Sequence, residues 1–259
     1  MRSESAADQS AWCESTRCDM FSIDYDMSLI AFIIGAGKNI GEHTAAALKA
    51  KGYKVALGSR KPAIDQVKKD GYFPVVVNVE SPESVKTAFS QVTKELGPPN
   101  VVIFNAATFV PPPVPEDPLS LPLEEFKPHL DVGLALYAAA QEALAGFRSE
   151  IHKDVPKTFI VTGNPLPWVT INRPGWLGMN VEKTFKWRLI EILSDAYSKE
   201  GIRFHYATLV GESGGIIDPL SKFFTSGPQH AQVYLDLVTR KDQADWDYRF
   251  TFDGKQWTK

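Results

Sequence analysis

Leu29–Ile34 (LIAFII) is an unbroken apolar run, as expected of a strand covered on both faces. A glycine-containing turn follows, and the alanine-rich Glu42–Lys51 reads as a helix. Short strands are expected at Lys54–Leu57 and Phe73–Val77. Ser81 can cap a helix whose Val85, Phe89 and Val92 share one face. Next come a strand at Val101–Phe104, a long helix over Glu124–Phe147, a strand at Thr158–Thr162 and a helix over Val181–Lys199. Strands at Arg203–Thr208 and Tyr248–Phe252 close the pattern. Strands and helices alternating across short connections predict the α/β class, a doubly wound parallel sheet with helices on both faces. No repeat or linker interrupts it, so residues 27–259 are expected to form one domain, with a substrate lobe near 209–235. The proline-rich Val110–Pro122 (VPPPVPEDPLSLP) reads as a stiff loop over one edge of that fold.

Composition removes several classes of function. The 259 residues are 44% hydrophobic and 23% charged, an ordinary globular mix. Lys and Arg number 28 against 31 Asp and Glu, a net charge of −3, which argues against a nucleic-acid partner held through phosphates. No apolar run approaches the roughly 20 residues of a membrane helix, so no membrane role is expected. Both cysteines, Cys13 and Cys18, lie in the polar, acidic Met1–Asp26. That segment has neither the apolar stretch of a secretory signal nor the arginine-rich character of a transit peptide. With no histidine nearby it is not expected to bind metal. It reads as a flexible tail ahead of a fold that starts at Met27, and the expected location is cytoplasmic.

The first strand runs into Gly35-Ala36-Gly37-Lys38-Asn39-Ile40-Gly41. Glycines here let the backbone turn sharply and approach a ligand, and the following helix aims free N–H groups at the same place, which suits a pyrophosphate. With a strand before it and a helix and strand after it, this turn marks a Rossmann-type dinucleotide site. Where an NAD site usually has an acidic residue for the ribose diol, the second strand ends in Gly58-Ser59-Arg60-Lys61. Arg60 can pair bidentately with a 2′-phosphate, Ser59 can donate to it, and Lys38 can reach it. The cofactor expected is NADP(H).

With these residues in view the chain resembles the short-chain dehydrogenases/reductases from Met27 to about Phe252. Gly35–Gly41 stands at the family's TGxxxGIG turn, with Asn39 in place of the middle glycine. Asn78-Val79 stands beside the adenine, and Asn105-Ala106-Ala107 resembles the family's NNAG. Gly201-Ile202-Arg203 resembles its entry to the sixth strand, and Leu209-Val210-Gly211 stands near its PG segment, which contacts the carboxamide. The resemblance implies a homodimer or homotetramer. It also implies an Asn, Ser, Tyr, Lys tetrad, and here the match mostly fails. Leu130-Asp131-Val132-Gly133 puts Gly133 at the Asn position, and the end of the fifth strand puts Asn164, or else Thr162, at the Ser position. The family's spacing back from Ile202 reaches Lys183, and four residues earlier is Met179, where the family has its Tyr. Tyr197 and Tyr206 are excluded by spacing, and Tyr137 is a remote candidate.

Methionine has no exchangeable proton and cannot be a general acid. Three readings survive: a reductase of an imine, iminium or activated carbonyl; a non-redox cyclase, pericyclase or isomerase using the cofactor cleft; and an inactive NADP(H)-binding protein. Asn172-Arg173-Pro174-Gly175-Trp176 favours the first. It resembles the PDPGW loop of fungal bifunctional reductase/Diels–Alderases of indole alkaloid pathways, with Arg173 in place of the Asp, and so implies secondary metabolism. Lys183, Asn164, Trp176, Arg173 and Met179 are the candidate catalytic residues. Thr108, Phe109, Phe223, Phe224 and His230 suggest an aromatic-lined pocket for a hydrophobic or polycyclic substrate, while His205 and His230 have no triad or metal pattern.

Overall fold

The computed structural model describes residues 29–170 and 173–258. The tail, with Cys13 and Cys18, the start at Met27, and Asn172 of the Arg173–Trp176 loop therefore lie outside the described residues. Seven parallel strands form one sheet in the order β3-β2-β1-β4-β5-β6-β7. They are β1 (Ile30–Ile34), β2 (Lys54–Ser59), β3 (Phe73–Val76), β4 (Val101–Phe104), β5 (Lys157–Thr162), β6 (Ile202–Leu209) and β7 (Asp247–Phe250). The helices are α1 (Ile40–Ala50), α2 (Ile64–Lys69), α3 (Pro82–Glu95), α4 (Leu123–Phe147), α5 (Leu177–Tyr197) and α6 (Gly227–Thr239).

All five residues of β1 are buried, and they divide by pleat. Ile30, Phe32 and Ile34 join the core under α3, α4 and α5, while Ala31 and Ile33 join the core under α1 and α6. This two-sided burial is the reason the sequence shows an apolar run and no alternation. Ser81 caps α3 as its position suggests, accepting a hydrogen bond from Ser84 N.

The structure corrects several boundaries. Helix α5 begins at Leu177, four residues before the expected start, so Met179 lies in its first turn. Gly178 obscured this start, and it is glycine for a packing reason: a Cβ there would lie 2.4 Å from the His129 ring on α4. Helix α6 occupies a segment read as loop-like substrate lobe. Its buried Ala231, Val233, Tyr234, Leu237 and Val238 follow helical spacing, and Pro228 stands in its first turn. The short α2 has no buried residue and so left no apolar signal. Strand β7 stops at Phe250, after which a turn brings Gln256 back beside it. No helix among the described residues is long and apolar enough to cross a membrane.

Candidate active site

The strand order reverses between β1 and β4, and a crevice opens there beyond their carboxyl ends. Gly35 leaves β1 at φ 90°, and a Cβ on it would lie 2.6 Å from Ala106 N in the loop after β4. Only glycine allows that approach. At Gly41 a Cβ would fall 2.7 Å from Ala36 Cα, so the helix starts hard against the turn. Gly37 faces the other way, and a Cβ there meets nothing within 4 Å. No side chain caps α1. A tight backbone cradle, an open side and an uncapped helix start fit the diphosphate of a dinucleotide.

At the end of β2, Ser59 is half-buried, and Arg60 and Lys61 are exposed together with Lys38 of the turn. Arg60 has one loose partner, Glu80, at 3.8 Å. Asn78 Oδ1 accepts from Glu80 N at 3.2 Å, and Val79 beside it is half-buried. The side chains of Ile40 and Leu209 belong to the core on the α1/α6 face, so only their backbone is available to a ligand. Asn39 serves a different purpose from the expected one. Its Nδ2 donates to Phe223 O at 2.8 Å and its Oδ1 accepts from Gly227 N at 2.7 Å, tying the glycine turn to the segment that leads into α6.

Behind the crevice runs a directed chain of hydrogen bonds. Tyr234 Oη donates to Thr162 Oγ1 (2.8 Å), Thr162 Oγ1 to Asn105 Oδ1 (2.8 Å), and Asn105 Nδ2 to Gly35 O (2.7 Å). It locks α6, β5, the β4 loop and the turn together, and it removes Thr162 from the Ser position. Lys183 Nζ donates to Thr162 O at 3.2 Å, and burial pushes its pKa below the usual lysine value. Asn164 is held at the end of β5, where its N–H donates to Tyr206 Oη at 3.2 Å and its Oδ1 accepts from Leu166 N at 3.1 Å. Its amide nitrogen has no partner among the described residues and faces no competing donor role. Tyr206 is fully buried and burial raises its pKa, so it supports Asn164 and delivers no proton to a substrate. Gly163 permits this approach, since a Cβ would lie 2.4 Å from the Tyr206 ring.

A sequence profile described as short chain dehydrogenase matches residues 29–132. The short-chain dehydrogenase/reductase dmxR12 of Cryptosporiopsis sp. is 32% identical over 231 residues, spanning 85% of this chain and 90% of that protein. The chain belongs to the short-chain dehydrogenase/reductase family. Solved structures agree in fold. A Brucella melitensis 3-ketoacyl-(acyl-carrier-protein) reductase complexed with NADH has a TM-score of 0.70 at 17% identity, over 87% of this chain and 97% of that one. An alcohol dehydrogenase of the archaeon Thermococcus sibiricus complexed with 5-hydroxy-NADP has a TM-score of 0.66 at 21% identity, over 86% and 95%.

At the positions that the sequence spacing matches to the family's tetrad stand Gly133, Asn164, Met179 and Lys183. A Cβ on Gly133 would lie 2.9 Å from the Phe185 ring, so that ring takes the space an Asn side chain would need. Met179 is half-buried in the first turn of α5. Tyr137 is 48% exposed on the outer face of α4, with the exposed Leu130 and Leu134 on the same helix. Trp176 stands edge-on to Phe109 (6.1 Å between ring centres), with the Arg173 guanidinium 5.2 Å above its ring. Gly175 packs over Pro112, so the proline-rich loop and the Pro174–Trp176 turn form one rim.

The lobe after β6 is less aromatic than expected. His230 and Phe223 turn inward against Tyr234 and Phe250, and only Phe224 remains largely exposed. A cleft of about 660 Å³ beyond β6 and β7 is of mixed character, lined by Glu212, Asp218, Lys222 and Asp253 and also by Val210, Ile216, Ile217 and Phe252. Among the described residues no group of three His, Cys, Asp or Glu could hold a metal ion. Sequence reasoning missed Glu182 and Lys186, which form a fully buried ion pair behind Lys183, with the buried His129 ring beside Glu182. The signal was present, because Glu182 and Lys186 are spaced i, i+4 on one face of a helix.

Proposed function

We propose that this protein is an NADP(H)-dependent reductase of secondary metabolism acting on an imine, iminium or activated carbonyl. The observation that carries this reading is the asymmetry of the site. Its cofactor side keeps the glycine cradle, Arg60 and Lys183, while its substrate side offers the Asn164 amide nitrogen, without a partner among the described residues, and a methionine where an acid would stand.

When bound, the nicotinamide would supply a hydride. Gly35, Gly37 and the start of α1 would hold the diphosphate, and Ser59, Arg60 and Lys38 the 2′-phosphate. Lys183 would bond the nicotinamide ribose. Asn164 can orient a substrate nitrogen or oxygen and stabilise charge growing on it, but it cannot release a proton. That limits the substrate. Reduction of a simple ketone leaves an alkoxide, whose parent hydroxyl is about as weak an acid as water, so an acid is needed. An iminium, or an imine that has already taken a proton from solvent, becomes a neutral amine and needs none. A quinoid carbonyl that becomes aromatic on conjugate hydride addition leaves a phenolate-like oxygen, whose parent acid has a pKa of about 10 and which an amide donor can hold until water protonates it. Phe109 and Trp176 would form an apolar wall for a flat ring system.

The test is NADPH oxidation across cyclic imines, iminium ions, quinoid carbonyls and simple ketones, with cofactor binding by calorimetry alongside. Turnover on the first three with little on ketones is expected. Asn164→Ala should cut kcat by about 10²–10³ with NADPH affinity retained. Fast reduction of simple ketones would overturn the acid-free reading. Tight NADPH binding with no oxidation of any substrate would move the assignment to a cyclase that uses the cofactor as part of its wall.

A further inference from the structure

We propose that Glu182 and Lys186 are positioning residues that clamp the Ala106–Thr108 loop onto α5 and so hold Lys183 and the floor of the cofactor crevice in register. The proposal rests on the dinucleotide reading of that crevice.

The inward face of α5 carries Gly178, Glu182, Lys183, Lys186 and Ile190. Three ionisable side chains stand where a helix of this depth ordinarily presents apolar ones. Glu182 and Lys186 are fully buried. Their ion pair is 2.7 Å long, and both ends are used a second time on the same stretch of loop. Lys186 Nζ donates to Ala106 O at 2.9 Å, and Glu182 Oε2 accepts from Thr108 N at 3.1 Å. His129 of α4 brings Nδ1 to 3.5 Å from the same Oε2, and Gly178 gives its ring the room to do so. Phe104, the last residue of β4, lies under the ammonium with its ring centre at 5.0 Å.

The two residues thus grip the loop by one carbonyl and one N–H, as an added strand would. The gripped residues directly follow Asn105, which holds Gly35 O, and Ala106 N is the atom that a Cβ on Gly35 would meet most closely. Lys183 sits between the two gripping residues on the helix and reaches the other side of the crevice at Thr162 O. None of the pair is exposed to a ligand, so they act through the loop and through Lys183, not by contact. A buried ion pair is a poor choice for stability alone, since apolar residues of similar volume serve as well or better. Apolar residues, however, cannot bond a carbonyl and an N–H.

The experiment uses the double variant Glu182→Leu/Lys186→Met. Three quantities are read: melting temperature, hydrogen exchange of the Thr108 amide without cofactor, and NADPH affinity by calorimetry. The expected result is a melting temperature at or above wild type, Thr108 exchange at least about tenfold faster, and NADPH affinity about tenfold weaker. Glu182→Gln, which keeps an oxygen for Thr108 N–H, should retain most of the Thr108 protection and carries the test if the double variant does not fold. Unchanged Thr108 exchange in the double variant, or Thr108 as unprotected in Glu182→Gln as in the double variant, would overturn the clamp. Faster exchange with unchanged affinity would overturn its positioning role. Failure of wild type to bind NADPH would instead sink the dinucleotide reading, and the exchange measurements would still decide the clamp.

Discussion

Arg60 shows how much one side chain is asked to decide. It is exposed at the end of β2 with a single loose partner, Glu80 at 3.8 Å, which is too distant to compete with a phosphate for the guanidinium fork. Arg60→Ala is therefore expected to weaken NADPH binding about tenfold and leave NADH binding nearly unchanged, as read by calorimetry with both cofactors. Equal losses would remove the 2′-phosphate assignment. Asn164 illustrates the opposite case, a residue whose role is fixed by what surrounds it. Its Oδ1 is spent on Leu166 N and its backbone on Tyr206, so the one group left over is a donor that is not an acid. A tyrosine does stand beneath the site, but Tyr206 is sealed in the core and its burial holds the proton on.

Among the elements, α6 and α1 are joined in a way that gives Asn39 its purpose. The middle position of the glycine turn carries a side chain because that side chain reaches Phe223 O and Gly227 N, fastening the lobe to the turn. Gly227 is glycine for the same contact, since a Cβ would fall 2.5 Å from Asn39 O. Asn39→Ala should lose about 1–3 kcal/mol of stability and speed hydrogen exchange across Leu220–Gly227, with the amides of β1 and β4 unchanged. If the exchange gain were spread evenly over the sheet, the bridge would be no more than general packing. Helix α5 is held in the same manner from the other side of the sheet, through Glu182 and Lys186 to the β4 loop.

For the molecule as a whole, buried histidines contribute to its response to acid, His205 and His230 among them. His205 and His230 are buried, and burial lowers each pKa from 6.5 to about 4. A folded-state pKa below the unfolded one means that the unfolded chain takes up protons first. The stability these groups contribute is complete above about pH 6.5 and is lost as the pH falls through about 4. At one unit per 1.36 kcal/mol the loss is about 3 kcal/mol for each histidine. Urea midpoints measured at pH 7 and pH 4.5 should therefore differ markedly, and His230→Phe should flatten the difference. A pH-independent midpoint would show that neither ring is buried neutral.

The local sequence by itself determined the seven strands, their burial on both faces, the glycine cradle and the basic end of β2. Each of these depends on residues adjacent in the chain, through apolar runs, turn chemistry and the helix start. The spacing of Met179 and Lys183, four apart, was legible for a similar reason, because both lie on one helix. What the tertiary structure alone decided involves partners far apart in sequence. Asn39 meets Gly227, Tyr206 meets Asn164, and Thr108 meets Glu182 across separations of 188, 42 and 74 residues. Buried polar groups must be paired, and only the packed sheet says with what. Thus Lys183 could be read from spacing, whereas the ionic clamp behind it could not.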